Sequence, residues 1–286
     1  MTDSAISLAW VRDDARRGAR PAMLWIALGA ITMIAAVLAA PPANWLARYV
    51  AAKSNGRILF ADARGSIWRG DAVLGFAAGR TSSGSDGQAS SALALPGRIK
   101  WAVEMPRGLA LVLRLTHDGV LPQPVDVRIG IGARTGAIAV EAGRALLPAE
   151  LLRLFGAPLN TLRPEGRLDV RWDALEITDN RPIVAAGEVR FADLALAAST
   201  VRPLGDYRAV LKSDERGLSW RLDTERGPLK LEGMGSVSPG SRGKVEASVR
   251  ASAAADASPQ TVARLKPLLD ALGRRAGGVA VIEIGS

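Results

Sequence analysis

Residue types that commonly carry catalysis are scarce in this sequence. Its 286 residues include one histidine and no cysteine. His117 stands in the turn-forming segment Thr116-His117-Asp118-Gly119, and no Gly-x-Ser-x-Gly motif supplies a serine for it to activate. One histidine without cysteine cannot form a clustered metal site, and no loop has the dense aspartate spacing that calcium requires. We therefore expect His117 to be a polar turn residue.

Two further segments match chemical motifs only in part. Gly130, Gly132 and Gly136 resemble a nucleotide-binding loop, but that motif needs its glycines at the start of a helix. An alternating stretch follows here, which predicts a hairpin turn. Asp62 and Asp71 flank a glycine-bounded segment, and two carboxylates in strand loops do not make a glycosidase. We predict that the chain is not an enzyme and binds no cofactor or metal.

The most distinctive segment is the uncharged run at residues 22–40, AMLWIALGAITMIAAVLAA. As a helix it would be about 28 Å long, close to the ~30 Å hydrocarbon core of a bilayer. Four arginines precede it, and Pro41 and Pro42 end it. We predict a basic tail at 1–21 on the inner side, a transmembrane helix at 22–40, and a domain at 43–286 across the membrane.

The alternative interpretation of this run is a cleaved signal peptide. Its apolar part would be longer than usual, and prolines stand directly after the small residues Ala39 and Ala40, where they disfavour cleavage. A retained anchor is therefore favoured. The piece that follows, with Trp45 and Tyr49 at helical spacing, suits either a membrane headgroup region or the first helix of the domain.

The formal net charge of +9 raises the question of a nucleic-acid partner. The arginines are spread singly along alternating segments and do not form a block. This distribution indicates solvated strand faces near an acidic membrane surface and no nucleic-acid footprint.

From Gly56 onward the hydrophobic period is two, as in Val125-Asp126-Val127-Arg128-Ile129 and in Leu218-Ser219-Trp220-Arg221-Leu222. Such strands have one apolar and one wet face and belong to antiparallel sheets packed on one side. Two helices are predicted, Pro148 to Phe155 and Pro259 to Leu272. The fold class is mainly β: a long antiparallel curved meander or half-open sheet, with two weakly similar halves at about 57–156 and 163–286.

The sharpest local signature is Gly65-Ser66-Ile67-Trp68-Arg69-Gly70. We expect its two glycines to bound a very short strand and Trp68 to anchor a sheet edge in the core. Four tryptophans are candidates either to line an apolar trough or to fill a closed core: Trp68, Trp101, Trp172 and Trp220.

Several motifs together resemble protein N of the type II secretion system. After the apolar run and the Gly65–Gly70 signature come Ile99-Lys100-Trp101, Leu147-Pro148-Ala149-Glu150-Leu151-Leu152, Gly166-Arg167-Leu168, Gly187-Glu188-Val189-Arg190-Phe191-Ala192-Asp193-Leu194 and Leu268-Leu269-Asp270-Ala271-Leu272-Gly273. The motifs are short, but their order covers the chain from residue 22 to the end. The residues that carry the signature or serve structure are Gly65, Ile67, Trp68, Gly70, Trp101, Trp172, Phe191 and Trp220.

The resemblance implies a single-pass inner-membrane protein of a Gram-negative bacterium with its domain in the periplasm. It implies an accessory role in exporting folded proteins across the outer membrane, with other secretion subunits and membrane lipid as partners. The family also looks related to the AsmA-like superfamily, whose long half-open sheets hold lipid. The alternative function is therefore a lipid-binding or lipid-transfer trough. The resemblance carries over no catalytic residue.

Overall fold

A computed structural model of the chain describes residues 25–26, 28–33, 40–77, 92–105, 110–130, 137–155, 159–178, 181–214, 217–237, 245–272, 274–276 and 279–284. The strands in the first half are β1 (Ile58–Gly65), β2 (Arg69–Phe76), β3 (Leu93–Ala94), β4 (Ile99–Glu104), β5 (Ala110–His117), β6 (Leu121–Gly130), β7 (Ile138–Val140) and β8 (Gly143–Pro148). The later strands are β9 (Pro164–Trp172), β10 (Leu175–Thr178), β11 (Arg181–Leu196), β12 (Gly205–Asp214), β13 (Gly217–Arg226), β14 (Leu229–Val237), β15 (Val245–Ala253), β16 (Arg274–Ala276) and β17 (Val279–Ile284).

The strands form one antiparallel meander that follows the chain order. β1 pairs with β2, whose other edge is shared by β3 and β4, and the pairing continues through β5 and β6. The next two positions in the sheet are each occupied by two strands. β7 pairs with β6 and β10, β8 pairs with β9, and both β9 and β10 pair with β11. β11 to β15 follow in order, and β17 lies between β15 and β16. The prediction of a mainly β, antiparallel fold is confirmed.

Alternation of side chains explains why these residues form a sheet with two unlike faces. Along β13, the residues Leu218, Trp220 and Leu222 are half-buried, while the intervening Ser219 and Arg221 are exposed. Because the side-chain period of a strand is two, every apolar residue of such a strand reaches the same face of the sheet.

Two bulges interrupt this regularity at equivalent tripeptides. Asp62 of Phe60-Ala61-Asp62 and Asp193 of Phe191-Ala192-Asp193 have φ angles of 48° and 54°. The register of β1 against β2, and of β11 against both its neighbours, shifts at these aspartates. Aspartate tolerates the left-handed region better than most residues, and a bulge bends a strand and increases its twist. These two bulges therefore bend the sheet.

Helices cover parts of the apolar face. They are α1 (Ala43–Lys53), a 3-10 helix at Ala149–Phe155, α2 (Leu159–Leu162) and α3 (Pro259–Leu272). α3 was predicted correctly. The Ser258 hydroxyl accepts a hydrogen bond from the Thr261 amide at 3.2 Å, which makes Ser258 the N-cap of this helix. The buried face of α3 is Leu265, Leu268 and Leu269, whereas Val262 is 41% exposed.

Pro148 is not the first residue of a helix, as its position before Leu151 and Leu152 had predicted. It is the last residue of β8, where it pairs with Arg167, and the 3-10 helix starts at Ala149. A proline ends a strand and opens a helix with the same fixed φ angle, so the sequence pattern could not separate the two. Gly156, the next residue in the sequence after this helix, lies outside the described residues.

Three apolar clusters form the core, each beneath one helix. Leu46 of α1 packs on Ala72, Ile99 and Trp101 at the start of the meander. Leu151 of the 3-10 helix packs with Leu95, Val120 and Ala145, and α3 packs with Leu204, Leu229, Ala251 and Ala280 at the end. The middle cluster contains Leu74 of β2 together with Trp172 of β9, although four strand positions separate β2 from β9 in the sheet. The sheet must therefore curl over its apolar face.

The predicted transmembrane helix and the tail before it fall largely outside the described residues. Residues 25–26 and 28–33 are helical. No helix in the described part of the chain is long and apolar enough to cross a membrane.

Candidate functional site

The apolar face of β8 to β15 brings together the predicted site residues Trp172, Phe191 and Trp220. Its residues fall into rows across the strands, because each lies opposite the next in the antiparallel register. One row contains Phe191, which stands between Leu168 and Tyr207. Another row runs across seven strands through Gly143, Trp172, Gly187, Leu211, Trp220, Gly235 and Ala247. Trp172 and Trp220 thus share one row, about 14 Å apart at the strand spacing of a sheet.

Three tryptophans each cover a glycine on the neighbouring strand. Trp101 stands opposite Gly70, Trp172 opposite Gly143, and Trp220 opposite Gly235. A Cβ added at Gly70, Gly143 or Gly235 would lie 2.5, 2.4 or 2.6 Å from the facing indole ring. The rings can come this close only because the glycines have no side chain. Each ring therefore lies on the backbone of the adjacent strand.

The indole N–H groups of the first two pairs are bonded to backbone carbonyls. Trp101 Nε1 donates to the Ser66 carbonyl at 3.1 Å, and Trp172 Nε1 donates to the Glu141 carbonyl at 2.9 Å. A tryptophan can therefore lie in an apolar surface with its polar atom satisfied. The sequence identified the three tryptophans but not Gly143 and Gly235; a glycine within an alternating strand is the signal that could have found them.

Cover over the apolar face is incomplete between the 3-10 helix and α3. Over the fully described range Gly217–Arg226, β13 has no buried residue. Leu211, Trp220 and Leu222 face inward and are each half-buried. By contrast, Leu265 of α3 and Leu204, which packs in the same cluster, are completely buried. The middle of the C-terminal half thus has an apolar floor that solvent reaches.

The opposite face of the sheet carries arginine–carboxylate pairs. Arg114 donates to both oxygens of Asp126 on the next strand, at 2.9 and 2.8 Å, and Arg144 does the same to Asp169 at 2.7 and 2.8 Å. Further pairs join Arg208 to Glu188 and Arg226 to Asp206. The prediction that arginines occupy wet strand faces is confirmed at these positions, where carboxylates balance part of the positive charge.

Each of three arginines lowers the pKa of the carboxyl group with which it pairs. The hydrogen bond from Arg114 lowers the pKa of Asp126, and the hydrogen bonds from Arg144 lower that of Asp169. The hydrogen bond from Arg208 likewise lowers the pKa of Glu188. Each carboxylate is thus held ionised by its neighbour across the strands, which favours a structural role over proton transfer.

A groove of about 900 Å³ crosses β12 to β15 mainly on this polar side. Its lining includes Lys212, Arg221 and Glu246 together with Val210 and Met234. Met234 is 59% exposed. Two basic side chains and one acidic side chain line this groove, so it carries charges of both signs.

The glycine-bounded signature is a hairpin loop and not a short strand. Gly65 and Gly70 pair with each other, and residues 66–68 form the connection between β1 and β2. Gly65 has a φ of 87°, and a Cβ there would lie 2.5 Å from the Arg69 carbonyl oxygen. The Ser66 hydroxyl accepts from the amides of Trp68 and Arg69 at 3.3 and 3.2 Å. Two glycines five residues apart are as compatible with a tight turn as with a strand. The pairing of Gly65 with Gly70 shows that the segment is a turn.

Trp68 was expected in the core and is instead 37% exposed. The prediction was wrong because the residue stands at the tip of the hairpin, where its backbone carbonyl accepts from the Val103 amide at 2.6 Å. The hairpin also holds the chain that follows the apolar run. Ile67 donates its amide to the Pro41 carbonyl at 2.9 Å, and Pro42 forms a β-bridge with Ser66. The signature therefore joins the N-terminal segment to the sheet.

His117 is buried and not an open turn residue, which corrects the prediction for it. It is the last residue of β5 and is 2% exposed, and its Nδ1 lies 2.9 Å from the Asp118 carbonyl oxygen. A Cβ added at Gly97 would lie 3.1 Å from its Cε1 atom, so that glycine makes room for the ring. In the described part of the chain, no three acidic or histidine side chains come together as metal ligands do.

Comparison with known proteins gives one match. A family model described as Type II secretion system (T2SS), protein N, matches residues 57–282. No curated protein and no solved structure matches the chain.

Proposed function

Because the chain belongs to the protein N family of the type II secretion system, we propose that it is an accessory, single-pass inner-membrane component of that system. The family match over residues 57–282 is the observation that carries this proposal, since it includes both the signature hairpin and α3. In the proposed role the periplasmic sheet supports export of folded proteins across the outer membrane. Its partners are other subunits of the same apparatus, and its role is structural and not catalytic.

Exposed apolar side chains support the membrane anchor at 22–40. Trp25, Ile26, Leu28, Ile31 and Met33 belong to the uncharged run, and each is more than half exposed on helical backbone. Exposed apolar side chains of this kind are unfavourable in water and favourable in a bilayer. The proposed topology places the basic tail 1–21 in the cytoplasm and residues 43–286 in the periplasm.

The signature hairpin, residues 65–70, connects the proposed anchor directly to the sheet. The Pro41 carbonyl and Pro42 are both bonded to the hairpin, and the Trp101 indole is bonded to the same loop through the Ser66 carbonyl. Pro41 directly follows Ala40, the last residue of the apolar run. The anchor and the sheet would therefore be coupled through short hydrogen bonds and not through a flexible linker.

Co-purification tests the secretion role. The full chain carrying a C-terminal affinity tag is extracted from Gram-negative membranes in mild detergent, and co-purifying proteins are identified by mass spectrometry. We expect inner-membrane subunits of the type II system to be enriched over the same strain expressing an unrelated tagged single-pass protein. Equal recovery in both preparations would contradict the proposal.

The half-buried apolar floor of β11 to β14 favours a second candidate function, the binding of lipid acyl chains. Leu211, Trp220 and Leu222 offer a surface that solvent reaches, bordered by the clusters beneath the 3-10 helix and α3. Apolar pockets with few polar groups are typical of sites for apolar ligands. In this function the sheet would hold, or pass on, lipid taken from the membrane to which the chain is anchored.

Two neighbouring residues on opposite faces of β12 provide a matched test of lipid binding. Leu211→Asp places a charge on the apolar floor, whereas Val210→Asp places the same charge on the polar face. Native mass spectrometry of the detergent-purified full chain is expected to show bound phospholipid in the parent chain and in Val210→Asp, and much less in Leu211→Asp. Absence of lipid from all three would refute the trough.

A further inference from the structure

Helix α1 has one face packed on the sheet and one face without cover. Ala43 is 1% exposed and Leu46 packs against the cluster around Ala72 and Trp101. On the other side, Trp45 and Tyr49 are 53% and 61% exposed. These two residues are four positions apart, so they lie on the same side of the helix one turn from each other. Two large aromatic rings thus form an outward-facing patch.

Basic side chains border this aromatic patch. Arg48 and Lys53 are both exposed, and the Lys53 ammonium lies 5.8 Å from the centre of the Tyr49 ring. The sequence contains no aspartate or glutamate between Asp14 and Asp62, a stretch that includes the whole of α1. The first acidic side chain after α1, that of Asp62, is engaged by Arg64 and Arg98. The patch therefore presents positive charge that no acidic residue of its own segment neutralises.

The chain also fixes where this patch lies relative to the apolar run. α1 begins at Ala43, three residues after the run ends at Ala40, and the intervening prolines are bonded to the signature hairpin. A helix held this close to the end of a membrane span stands at the level of the lipid headgroups. Tryptophan and tyrosine are enriched at that level, and basic residues are attracted to anionic lipids there.

We propose that the outer face of α1, formed by Trp45, Arg48, Tyr49 and Lys53, docks on the headgroup layer of a membrane containing anionic phospholipid. This docking rests on the proposed anchor at 22–40. It orients the sheet, because α1 is packed on β1 and β2 and cannot rotate independently of them. Aromatic rings enter the interface, and the two cations pair with lipid phosphates.

The absence of cysteine from the chain permits a direct test on the full-length protein. A single cysteine is introduced at the exposed α1 residue Ala52, or at the exposed strand residue Ser236 as a control, and is labelled with nitrobenzoxadiazole. The protein is reconstituted into vesicles of phosphatidylcholine alone or of an equal mixture with phosphatidylglycerol. Lipids with a nitroxide at the headgroup then report which label touches the interface.

We expect nitroxide lipids to quench the label at position 52 severalfold more than the label at position 236, and more strongly when phosphatidylglycerol is present. The double variant Arg48→Gln, Lys53→Gln should remove the phosphatidylglycerol dependence, and Trp45→Ser, Tyr49→Ser should lower quenching in both vesicle types. Flotation separates the two proposals. A chain that floats with vesicles while position 52 behaves as position 236 overturns α1 docking and leaves the anchor intact, whereas a chain that does not float overturns both.

Discussion

The indole ring of Trp220 occupies the space in which a side chain at Gly235 would stand. The two residues face each other across β13 and β14, and a Cβ at Gly235 would lie 2.6 Å from two ring atoms. The same relationship joins Trp101 to Gly70 and Trp172 to Gly143. Because each ring lies on the adjacent strand, it extends apolar area across the sheet and does not project far above it. This arrangement keeps the floor of the apolar face broad and shallow.

Gly235→Ala is predicted to destabilise the protein. The added methyl group forces Trp220 away from β14, and overpacking of this kind costs about 1–3 kcal/mol. Urea denaturation of the detergent-purified full chain, followed by tryptophan fluorescence, measures the change. Gly75→Ala is the control, because its Cβ would meet its nearest atoms at 3.7 Å, an ordinary contact distance. Equal stability of the two variants would contradict the ring-on-glycine packing.

Gly65→Ala is predicted to cost more than Gly56→Ala. Both glycines have positive φ angles, 87° and 74°, so both substitutions pay about 1–2 kcal/mol for a left-handed backbone. Only at Gly65 does the new Cβ also collide with a backbone oxygen, whereas Gly56 has open space around it. The same denaturation experiment compares the two, and a Gly56 variant as unstable as the Gly65 variant would refute a tight signature hairpin.

Leu265→Ala is predicted to destabilise the protein by about 2–5 kcal/mol, since Leu265 is completely buried on the packed face of α3 and its loss leaves a cavity. Val262→Ala, on the exposed side of the same helix, should change stability by less than about 0.5 kcal/mol. Chemical denaturation of both variants checks whether α3 covers the sheet as described. Comparable losses would mean that its packed face is misassigned.

Asp126→Asn is predicted to reduce the loss of stability at acidic pH. Arg114 lowers the pKa of Asp126 in the folded state below the unfolded value of about 3.9. The pair therefore stabilises the fold above that value and ceases to do so as pH falls through the folded-state pKa. The parent chain should lose stability more steeply than Asp126→Asn as pH falls from about 4, near the unfolded value, towards the lower folded-state pKa.

Asp118→Asn is the control for this pH dependence. Its carboxylate is 86% exposed and lies 3.4 Å from Lys100, so solvent screens the contact. Denaturation midpoints at several pH values should show the parent profile for this variant. An unchanged profile for Asp126→Asn as well would show that the Arg114 pair contributes nothing to folding.

The alternating sequence was sufficient to predict the sheet, because period-two patterning determines both strand and face. The α3 helix could also be predicted, since Ser258 and Pro259 are strong start signals. Trp68 and His117 could not be placed, because hairpin tip and strand end depend on which residues pair, and pairing is nonlocal. The glycines under Trp172 and Trp220 were missed for the same reason: they lie 29 and 15 positions away in sequence and become neighbours only in the sheet.

The pairing of arginines with carboxylates was likewise only partly predictable. Alternation placed them on the wet face, but the partners Arg144 and Asp169 are on different strands and meet through the β8–β9 register. The docking of Pro41 and Pro42 on the hairpin had no signal in the sequence, where these prolines indicated only the end of the apolar run.

Secretion in living cells tests the central claim most directly. The fraction of a folded type II substrate released into the medium is measured in a Gram-negative strain lacking this chain, with and without the full chain restored. The proposed role predicts that the substrate accumulates in the periplasm of the deletion strain and that the restored chain returns it to the medium. An unchanged released fraction in the deletion strain would contradict the assignment to this export apparatus.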